Sequence, residues 1–225
     1  MKDVAVGLQV RLDSNRLPKK ALLPLGGKPV VEHVLEALRE IPAGAHALLT
    51  DEESEAELSP IAEKLGFTML LGPREDVLKR YALLAEETGA AILLRATGDN
   101  PLVSPRMARE AIALHRGSGA DLTAFDNLPL GTGVEVVAAD AIRRADREAT
   151  EWDEREHVTL HLYRNRDRYR IDRRPAPPEA TMPDARVTLD TVEDYTLLSE
   201  LYARIYRGRP VEVEELIEAL RAEPA

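Results

Sequence analysis

The residues best suited to chemistry lie just beyond the first apolar run of the chain, in a loop rich in cationic side chains. Arg11, Arg16 and Lys20 fall within ten positions, and the hydroxyl of Ser14 lies between them. A guanidinium can bind two phosphate oxygens at once and an ammonium acts as a point charge, so this set can surround a chain of phosphates. A solvated surface loop explains the same charges, because arginine and lysine are mostly exposed in proteins.

The charge of this loop contrasts with the rest of the chain. Residues 1–30 hold six Lys/Arg and two Asp/Glu, whereas the 225 residues together hold 30 Lys/Arg and 40 Asp/Glu, a net charge of −10. A basic loop in an acidic chain indicates a small, compact anion and disfavours general nucleic-acid binding. The loop matches neither the P-loop pattern nor the dinucleotide fingerprint, which place glycines at fixed spacings before a helix.

Two aspartates follow apolar runs at distant points of the sequence. Asp99 lies in "ATGDNPLV" and Asp190 in "RVTLDTVEDY", each just after a predicted strand. Carboxylates at neighbouring strand ends could together bind Mg²⁺, which prefers oxygen ligands and keeps several waters or phosphate oxygens. Local capping is the alternative: Asp99 could cap a turn, and Asp190 or Thr191 could cap the helix predicted from residue 192. Asp194 fits a structural role in that helix.

Arg95 and the two histidines of "EREHVTLH" are further candidates. Arg95 lies inside an apolar strand, so its charge requires a partner, either a phosphate or a carboxylate such as Asp99. His157 and His161 are four positions apart, a spacing that can bind zinc on a helix. The H-E-x-x-H pattern is absent and the chain has no cysteine, which disfavours zinc.

The elements that must position these residues alternate between strands and helices. Apolar runs predict strands at 4–10, 45–49, 67–71, 91–96, 121–125, 134–137, 169–171 and 186–189. Apolar residues at helical spacing predict helices over 31–38, 77–85, 198–205 and 213–220. This alternation is typical of an α/β fold with a largely parallel sheet, in which ligands bind beyond the carboxyl ends of strands.

The organisation of the chain favours one domain over residues 1–225. The segment 126–172 breaks the alternation and is a possible inserted arm, and 172–185 is a proline-rich connection. No apolar run resembles a secretory signal or a membrane span, so we expect no membrane partner. The absence of cysteine suits a cytoplasmic protein.

The sequence resembles the cytidylyltransferases that activate acidic sugars, particularly those of spore-coat and surface polysaccharide biosynthesis. The resemblance covers nearly the whole chain in "RLDSNRLPKKALLPLGGKPVVEHVLEAL", "LLTDE", "GPREDVLKRY", "LRATGDNPLV", "EREHVT" and "VTLDTVEDY". It implies a three-layer, Rossmann-like nucleotidyltransferase fold with a mostly parallel mixed sheet and a small inserted arm. It also implies Mg²⁺-dependent transfer of CMP from CTP to an acidic sugar hydroxyl with release of pyrophosphate, by a homodimer whose arm is 126–172.

The resemblance also assigns roles to individual residues. Arg11, Arg16 and Lys20 match the catalytic residues that hold the triphosphate, and Asp99 and Asp190 match the metal ligands. The implied nucleotide-binding residues are Leu8, Gln9, Val10, Arg11, Ser14, Arg16, Lys20, Arg95 and Thr97. The implied acceptor-binding residues are Arg74, Arg80, Glu135, Glu156 and His157, although an exposed helical arginine explains Arg80 equally well.

Three departures from the family pattern leave the substrate open. Val10 replaces an alanine, Lys19 often corresponds to a glycine, and "PLGTGVEVV" lacks an arginine and an aspartate that relatives often carry. The last departure bears on the acceptor more than on the nucleotide. The same scaffold could use another nucleotide or a sugar phosphate or phosphonate acceptor, or it could bind a nucleotide without catalysis.

Overall fold

The computed structural model describes residues 2–14 and 16–222, which hold nine strands and nine α-helices. The strands are β1 (Val4–Gln9), β2 (Pro24–Leu25), β3 (Lys28–Pro29), β4 (Ala45–Thr50), β5 (Thr68–Leu71), β6 (Ile92–Thr97), β7 (Leu122–Asp126), β8 (Glu135–Ala138) and β9 (Ile171–Pro175). The helices are α1 (Val30–Arg39), α2 (Glu52–Lys64), α3 (Val77–Thr88), α4 (Pro105–Ser118), α5 (Ala139–Glu148), α6 (Trp152–Glu156), α7 (Leu160–Arg164), α8 (Val192–Ile205) and α9 (Val213–Arg221).

Seven strands form one mixed sheet, in the order β5-β4-β1-β6-β8-β7-β9. Strand β8 is antiparallel to both of its neighbours, and the other pairs in this sheet are parallel. The mostly parallel sheet confirms the predicted fold class. Because β1, β4 and β6 run side by side in the same direction, the loops that follow them meet at one edge of the sheet.

Helices cover both faces of the sheet, and β1 explains how the sequence arranges this. Its residues alternate between the two faces: Val4, Val6 and Leu8 pack in a cluster with α1, α2 and α4. Ala5 lies in the opposite cluster, which is formed mainly by α3 and α5. Two buried layers on one sheet make the predicted three-layer architecture.

Two segments differ from the sequence prediction or refine it. Residues 186–189 form no strand; the segment is extended and makes a single bridge from Arg186 to Leu130. The segment 126–172 supplies β8 to the interior of the sheet, and its helices α5, α6 and α7 lie on the α3 side. It is therefore continuous with the layered core, and its role as a dimerisation or acceptor-side arm remains a prediction.

Gly7 sets the distance between β1 and α3. A Cβ atom at this position would lie 2.8 Å from Tyr81 Cε1 and 2.9 Å from Leu84 Cδ2. The Tyr81 hydroxyl donates a 2.8 Å hydrogen bond to the Gly7 carbonyl, which holds the helix close to the strand. We expect Gly7→Val to lower the free energy of unfolding by about 1–3 kcal/mol, measured by urea denaturation, because overpacking displaces α3.

A matched glycine substitution separates crowding from general effects of glycine replacement. Gly117 lies in α4, and nothing lies within 4 Å of a Cβ atom built there. Gly117→Ala should leave stability unchanged or raise it by up to about 1 kcal/mol through helix propensity. Equal stability of the Gly7→Val variant and the parent would contradict the proposed close packing.

Candidate active site

Three segments meet at the carboxyl edge of β1 and β6 and form much of the wall of a cavity of about 590 Å³. They are the loop that follows β1, the end of β6 with the turn after it, and the extended residues 186–190. Strand alternation places Arg95 and Thr97 on one face of β6, and the turn that follows adds Asp99 to the same wall. The extended segment repeats this pattern: Val187 and Leu189 are buried beneath the cavity, while the residues at 186, 188 and 190 line it.

The Lys20 ammonium lies at the centre of a cage of three oxygens. It donates to Asp99 Oδ2 at 2.7 Å, to Asp190 Oδ1 at 2.8 Å and to the Leu189 carbonyl at 2.7 Å. The Leu189 amide in turn donates to the Asp99 carbonyl at 2.9 Å, which ties the two carboxylate-bearing segments together. Asp99 and Asp190, which are 79 and 170 positions from Lys20 in the sequence, therefore bind the same ammonium.

The backbone of the first loop delivers Lys20 to this cage. Lys19 adopts a left-handed conformation with φ of 52°, and its amide donates to the Leu12 carbonyl at 3.1 Å. Lys20 then begins a short 3-10 helix, Lys20–Leu22. Lys19 itself points away and pairs with Glu57 at 2.8 Å, so the two adjacent lysines have different surroundings.

Further cations surround Asp190. Arg186 donates to Asp190 Oδ2 at 2.7 Å, and Arg16, which is 72% exposed, lies 3.8 Å from Oδ1. Burial alone would raise the pKa of Asp190, but the hydrogen bond from Lys20 and the neighbouring arginines bring that pKa below its ordinary value. The helix cap is Thr191, which forms a capping box with Asp194, so capping does not occupy Asp190.

Arg11 lies in a second group of charges in the same cavity. It pairs with Asp13 at 3.1 Å and with Glu156 of α6 at 3.0 Å. Arg80 is 1% exposed and donates to the backbone carbonyls of Leu49 and Arg74 at 3.3 Å and 3.0 Å. Burial lowers the pKa of the Arg80 guanidinium. The link from Arg11 to Glu156 connects the first loop to the 126–172 segment.

A row of polar residues crosses the sheet beside this cavity. Arg95 donates from Nε to Gln9 Oε1 at 3.0 Å and from Nη1 to Glu135 Oε2 at 2.8 Å, across β1, β6 and β8. Thr159 and Tyr163 donate to the two oxygens of Glu135 at 2.8 Å and 2.9 Å. The row leads into an adjoining cavity of about 270 Å³, which shares Arg95 and Thr97 with the first.

The larger cavity presents unused polar groups and positive charge. Its lining includes six Lys/Arg and four Asp/Glu among the described residues, a formal charge of +2 in an acidic chain. Five buried polar atoms of its lining residues have no hydrogen-bond partner within residues 2–14 and 16–222. They are Asp13 Oδ1, Arg80 Nε, Asn100 Oδ1, Glu156 Oε2 and Thr188 Oγ1. Such a surface is suited to an anionic, hydrogen-bonding ligand.

The cage around Lys20 also has the chemistry of a divalent-cation site. Its two carboxylates and one carbonyl are hard oxygen donors that already converge on a cation, the lysine ammonium. Mg²⁺ needs few protein carboxylates when phosphate oxygens and water complete its coordination. No cluster of three or more His, Cys, Asp or Glu is placed to hold a metal in the described part of the chain. The residues therefore fit Mg²⁺ bound together with a phosphate ligand.

The family was identified by comparison with known proteins. A family model described as cytidylyltransferase matches residues 5–219. The chain belongs to the cytidylyltransferase family. The enzyme is accordingly a CTP-dependent nucleotidyltransferase, which confirms the resemblance drawn from the sequence motifs.

The chain is also similar to individual proteins, one by sequence and two by fold. The spore coat polysaccharide biosynthesis protein SpsF of Bacillus subtilis (strain 168) is 32% identical over 231 residues, which covers 100% of this chain and 96% of SpsF. A solved cytidylyltransferase structure from Leptospira borgpetersenii superimposes with a TM-score of 0.89 at 24% identity, covering 97% and 94% of the two chains. CMP:2-keto-3-deoxy-manno-octonic acid synthetase complexed with CTP gives a TM-score of 0.69 at 16% identity, covering 89% and 98%.

The cytidylyltransferase fold brings most of the predicted site residues into one cavity. Those that line the larger cavity are Gln9, Val10, Arg11, Ser14, Arg16, Lys20, Arg80, Arg95, Thr97, Asp99, Glu156, His157 and Asp190. Their individual roles remain predictions. His161, which shares the zinc-like spacing with His157, is instead held by Glu154 at 2.8 Å.

Two predicted site residues lie outside the wall of the larger cavity. The Leu8 side chain is fully buried within β1, flanked by β4 and β6, and the role of the backbone of Leu8 to Val10 in base selection stays a prediction. Arg74 also lies outside that wall and pairs with Asp13 and Glu53. The carboxylate partner of Arg95 is Glu135, because β8 pairs beside β6 in that register.

Two acceptor-side residues have surroundings that the sequence did not indicate. Glu135 lines the smaller cavity, and both of its oxygens already accept hydrogen bonds from protein groups; its role toward the acceptor stays a prediction. Arg80 is buried rather than an exposed helical arginine, since its guanidinium lies against backbone carbonyls. Its unpartnered Nε still belongs to the wall of the larger cavity.

Sequence reasoning missed several residues of the cytidylyltransferase site. Arg186 and Thr188 line the larger cavity with Asp190, and Asn100 lies beside Asp99. The signal for the first two was the alternation in "RVTLD", where apolar residues occupy every second position. Leu130, which is 55% exposed and lies between the two cavities, had no comparable signal.

Proposed function

We propose that this enzyme transfers CMP from CTP to the hydroxyl of an acidic sugar, with release of pyrophosphate, in the biosynthesis of a surface polysaccharide. A divalent cation, Mg²⁺ in the cell, is required. The observation that carries this proposal is the convergence of Lys20, Asp99 and Asp190 in a cavity of formal charge +2. The names of the relatives, a spore coat polysaccharide protein and an octonic acid synthetase, support the acceptor class.

The cations of the first loop bind and orient the triphosphate. Arg11, Arg16 and Lys20 all lie in the larger cavity, whose formal charge favours a polyanion. Charge builds up on the departing pyrophosphate as the acceptor oxygen attacks the α-phosphorus, and fixed cations stabilise this charge. Asp99 and Asp190 would hold the divalent cation, which neutralises phosphate charge when bound.

The acceptor occupies the smaller cavity in this proposal. That cavity of about 270 Å³ adjoins the nucleotide cavity through Arg95, Thr97, Asn100 and Leu130. Both of its described arginines are paired with carboxylates, Arg95 with Glu135 and Arg173 with Asp126. Glu135 acts here by holding Arg95, which also donates to Gln9, while the 126–172 segment forms most of the wall.

The decisive measurement is pyrophosphate release with a panel of nucleotides and acceptors. We expect release from CTP and an acidic sugar in the presence of Mg²⁺, and little release after chelation by EDTA, because the triphosphate charge is then not neutralised. CTP binding should also raise thermal stability by about 2.7 kcal/mol at 100 times its Kd, more than UTP, GTP or ATP at the same concentration.

The outcomes distinguish the alternatives left by the sequence. Stabilisation by CTP without pyrophosphate release from any acceptor would indicate a non-catalytic nucleotide-binding protein. Release only with a sugar phosphate or phosphonate would mean that the acceptor belongs to that class, while the CMP transfer reaction would stand.

None of the helices in the described part of the chain has the length and apolar character needed to cross a bilayer. Homodimer formation and a cytoplasmic location complete the proposal.

A further inference from the structure

In the structure, the lysine expected to bind phosphate is bound to the residues expected to hold the metal. The Lys20 ammonium has three N–H donors, and Asp99, Asp190 and the Leu189 carbonyl accept all three. Its side chain is only 15% exposed. In this arrangement Lys20 has no donor left for a phosphate oxygen, and the two carboxylates have a cation between them.

A divalent cation and the Lys20 ammonium cannot use this cage together. The oxygens lie 2.7–2.8 Å from the ammonium nitrogen, and Mg²⁺ would need the same oxygens at about 2.0–2.1 Å. Two cations inside one cage of this size would lie within roughly 3 Å of each other, where their repulsion is large. The metal can enter only after the ammonium has left.

The charges around the cage oppose binding of the metal alone. The two carboxylates face Lys20, Arg186 at 2.7 Å and Arg16 at 3.8 Å, and Arg186 also lies 3.8 Å from Asp194, so three positive charges balance three negative ones. A free divalent cation approaches carboxylates whose charge is already neutralised. A triphosphate reverses this balance, because its negative charges attract the ammonium and the arginines away from the carboxylates.

We propose that Lys20 closes the metal cage in the free enzyme and that the nucleotide opens it. The phosphates draw the ammonium out of the cage, and the divalent cation then binds Asp99 and Asp190. Metal binding therefore depends on the nucleotide, and by thermodynamic linkage the metal raises nucleotide affinity by the same factor. This inference rests on the proposed function, since it takes the triphosphate and the divalent cation as ligands of this cavity.

The test measures Mn²⁺ binding to the full chain without nucleotide, by electron paramagnetic resonance of free Mn²⁺. The parent should bind weakly. Lys20→Met and Lys20→Gln should bind Mn²⁺ about 5- to 150-fold more tightly, the usual range of coupling between two sites. Lys19→Met removes the same charge from the neighbouring residue, whose partner is Glu57, and should behave like the parent. Thermal unfolding checks that each variant is folded.

A second variant and a second readout locate the effect. Adding Asp99→Asn to Lys20→Met should abolish the gain in Mn²⁺ affinity, because the cage loses a carboxylate. Water proton relaxation, which separates protein-bound Mn²⁺ from Mn²⁺ on free CTP, should show that CTP promotes Mn²⁺ binding by a larger factor in the parent than in Lys20→Met, where phosphate oxygens still complete the coordination but no ammonium has to leave. An equal gain in Lys19→Met, or no gain in either Lys20 variant, would overturn the inference.

The inference and the proposed function fail in different ways. Pyrophosphate release by a parent that binds Mn²⁺ without nucleotide as tightly as Lys20→Met would overturn the inference alone. Tighter Mn²⁺ binding by the Lys20 variants, in a chain whose parent releases no pyrophosphate with any acceptor, would support the inference and contradict the proposed function.

Discussion

Asp99→Asn is expected to lower kcat/KM for pyrophosphate release from CTP by more than about 10³-fold. Loss of a single stabilising donor at a reacting centre typically costs about 10²–10³ in rate. Asp99 is expected to cost more than a single donor, because it is one of only two carboxylates proposed to hold the divalent cation that neutralises phosphate charge. The measurement is a pyrophosphate-release assay over a range of Mg²⁺ concentrations.

Asp13→Asn is the matched control for this substitution. Asp13 lies in the same cavity, but its carboxylate faces Arg11 and Arg74 rather than the Lys20 cage. Asparagine keeps the size of both side chains, so thermal unfolding of both variants should resemble that of the parent. We expect Asp13→Asn to retain activity within about tenfold, as for an exposed ion pair. Turnover of Asp99→Asn close to that of the parent at saturating Mg²⁺ would contradict the metal assignment.

The convergence at the cage could be predicted from the sequence because it depends on local pattern and parallel pairing. Asp99 follows an apolar strand, and Lys20 lies in the loop after the first strand. A parallel sheet places such strand ends at one edge whatever their separation along the chain. Asp190 reaches the same edge although residues 186–189 form no strand. The segment is extended, and because Val187 and Leu189 are buried, the residues between and after them face the cavity.

The pairing of charges within the site could not be predicted in the same way. Arg95 finds Glu135 because β8 lies antiparallel between β6 and β7, a register that depends on the whole sheet. Sequence alternation predicted that Arg95 needs a partner but could not identify it. The bonding of Lys20 to the aspartates likewise depends on the Leu189–Asp99 backbone hydrogen bond, which joins distant segments.

The burial of particular polar residues could not be predicted from the sequence either. The position of Arg80 in the sequence of α3 gives no sign of burial. Its side chain is nevertheless buried and donates hydrogen bonds to backbone carbonyls. The Arg80 side chain runs against Gly72, where an added Cβ atom would lie 2.6 Å from Arg80 Cγ, so a contact between α3 and the residue after β5 gives the side chain its path to the cavity. The periodicity of apolar residues predicts which face of a helix or strand is buried. Which polar side chains are buried with it depends on the elements that pack against that face.

Lys20→Met should lower kcat by about 10²–10³-fold and change KM for CTP much less. An ammonium that binds the departing pyrophosphate stabilises charge that develops mainly in the transition state, so its loss appears in kcat. The contacts of Lys20 in the free enzyme support this expectation. Because Lys20 must break its ion pairs with Asp99 and Asp190 before it binds phosphate, its net contribution to CTP affinity in the ground state is small. Separate determination of kcat and KM by pyrophosphate release measures the effect.

Lys19→Met again provides the control, because it removes one positive charge from the adjacent residue without altering the cage. Equal losses in the two variants would indicate that net loop charge, rather than the position of Lys20, supports turnover. A large rise in KM with unchanged kcat in Lys20→Met would mean that the ammonium binds ground state and transition state alike. A selective loss of kcat in Lys20→Met, combined with tighter Mn²⁺ binding, requires one ammonium to serve two sites in turn: the metal cage before CTP binds and the leaving pyrophosphate afterwards.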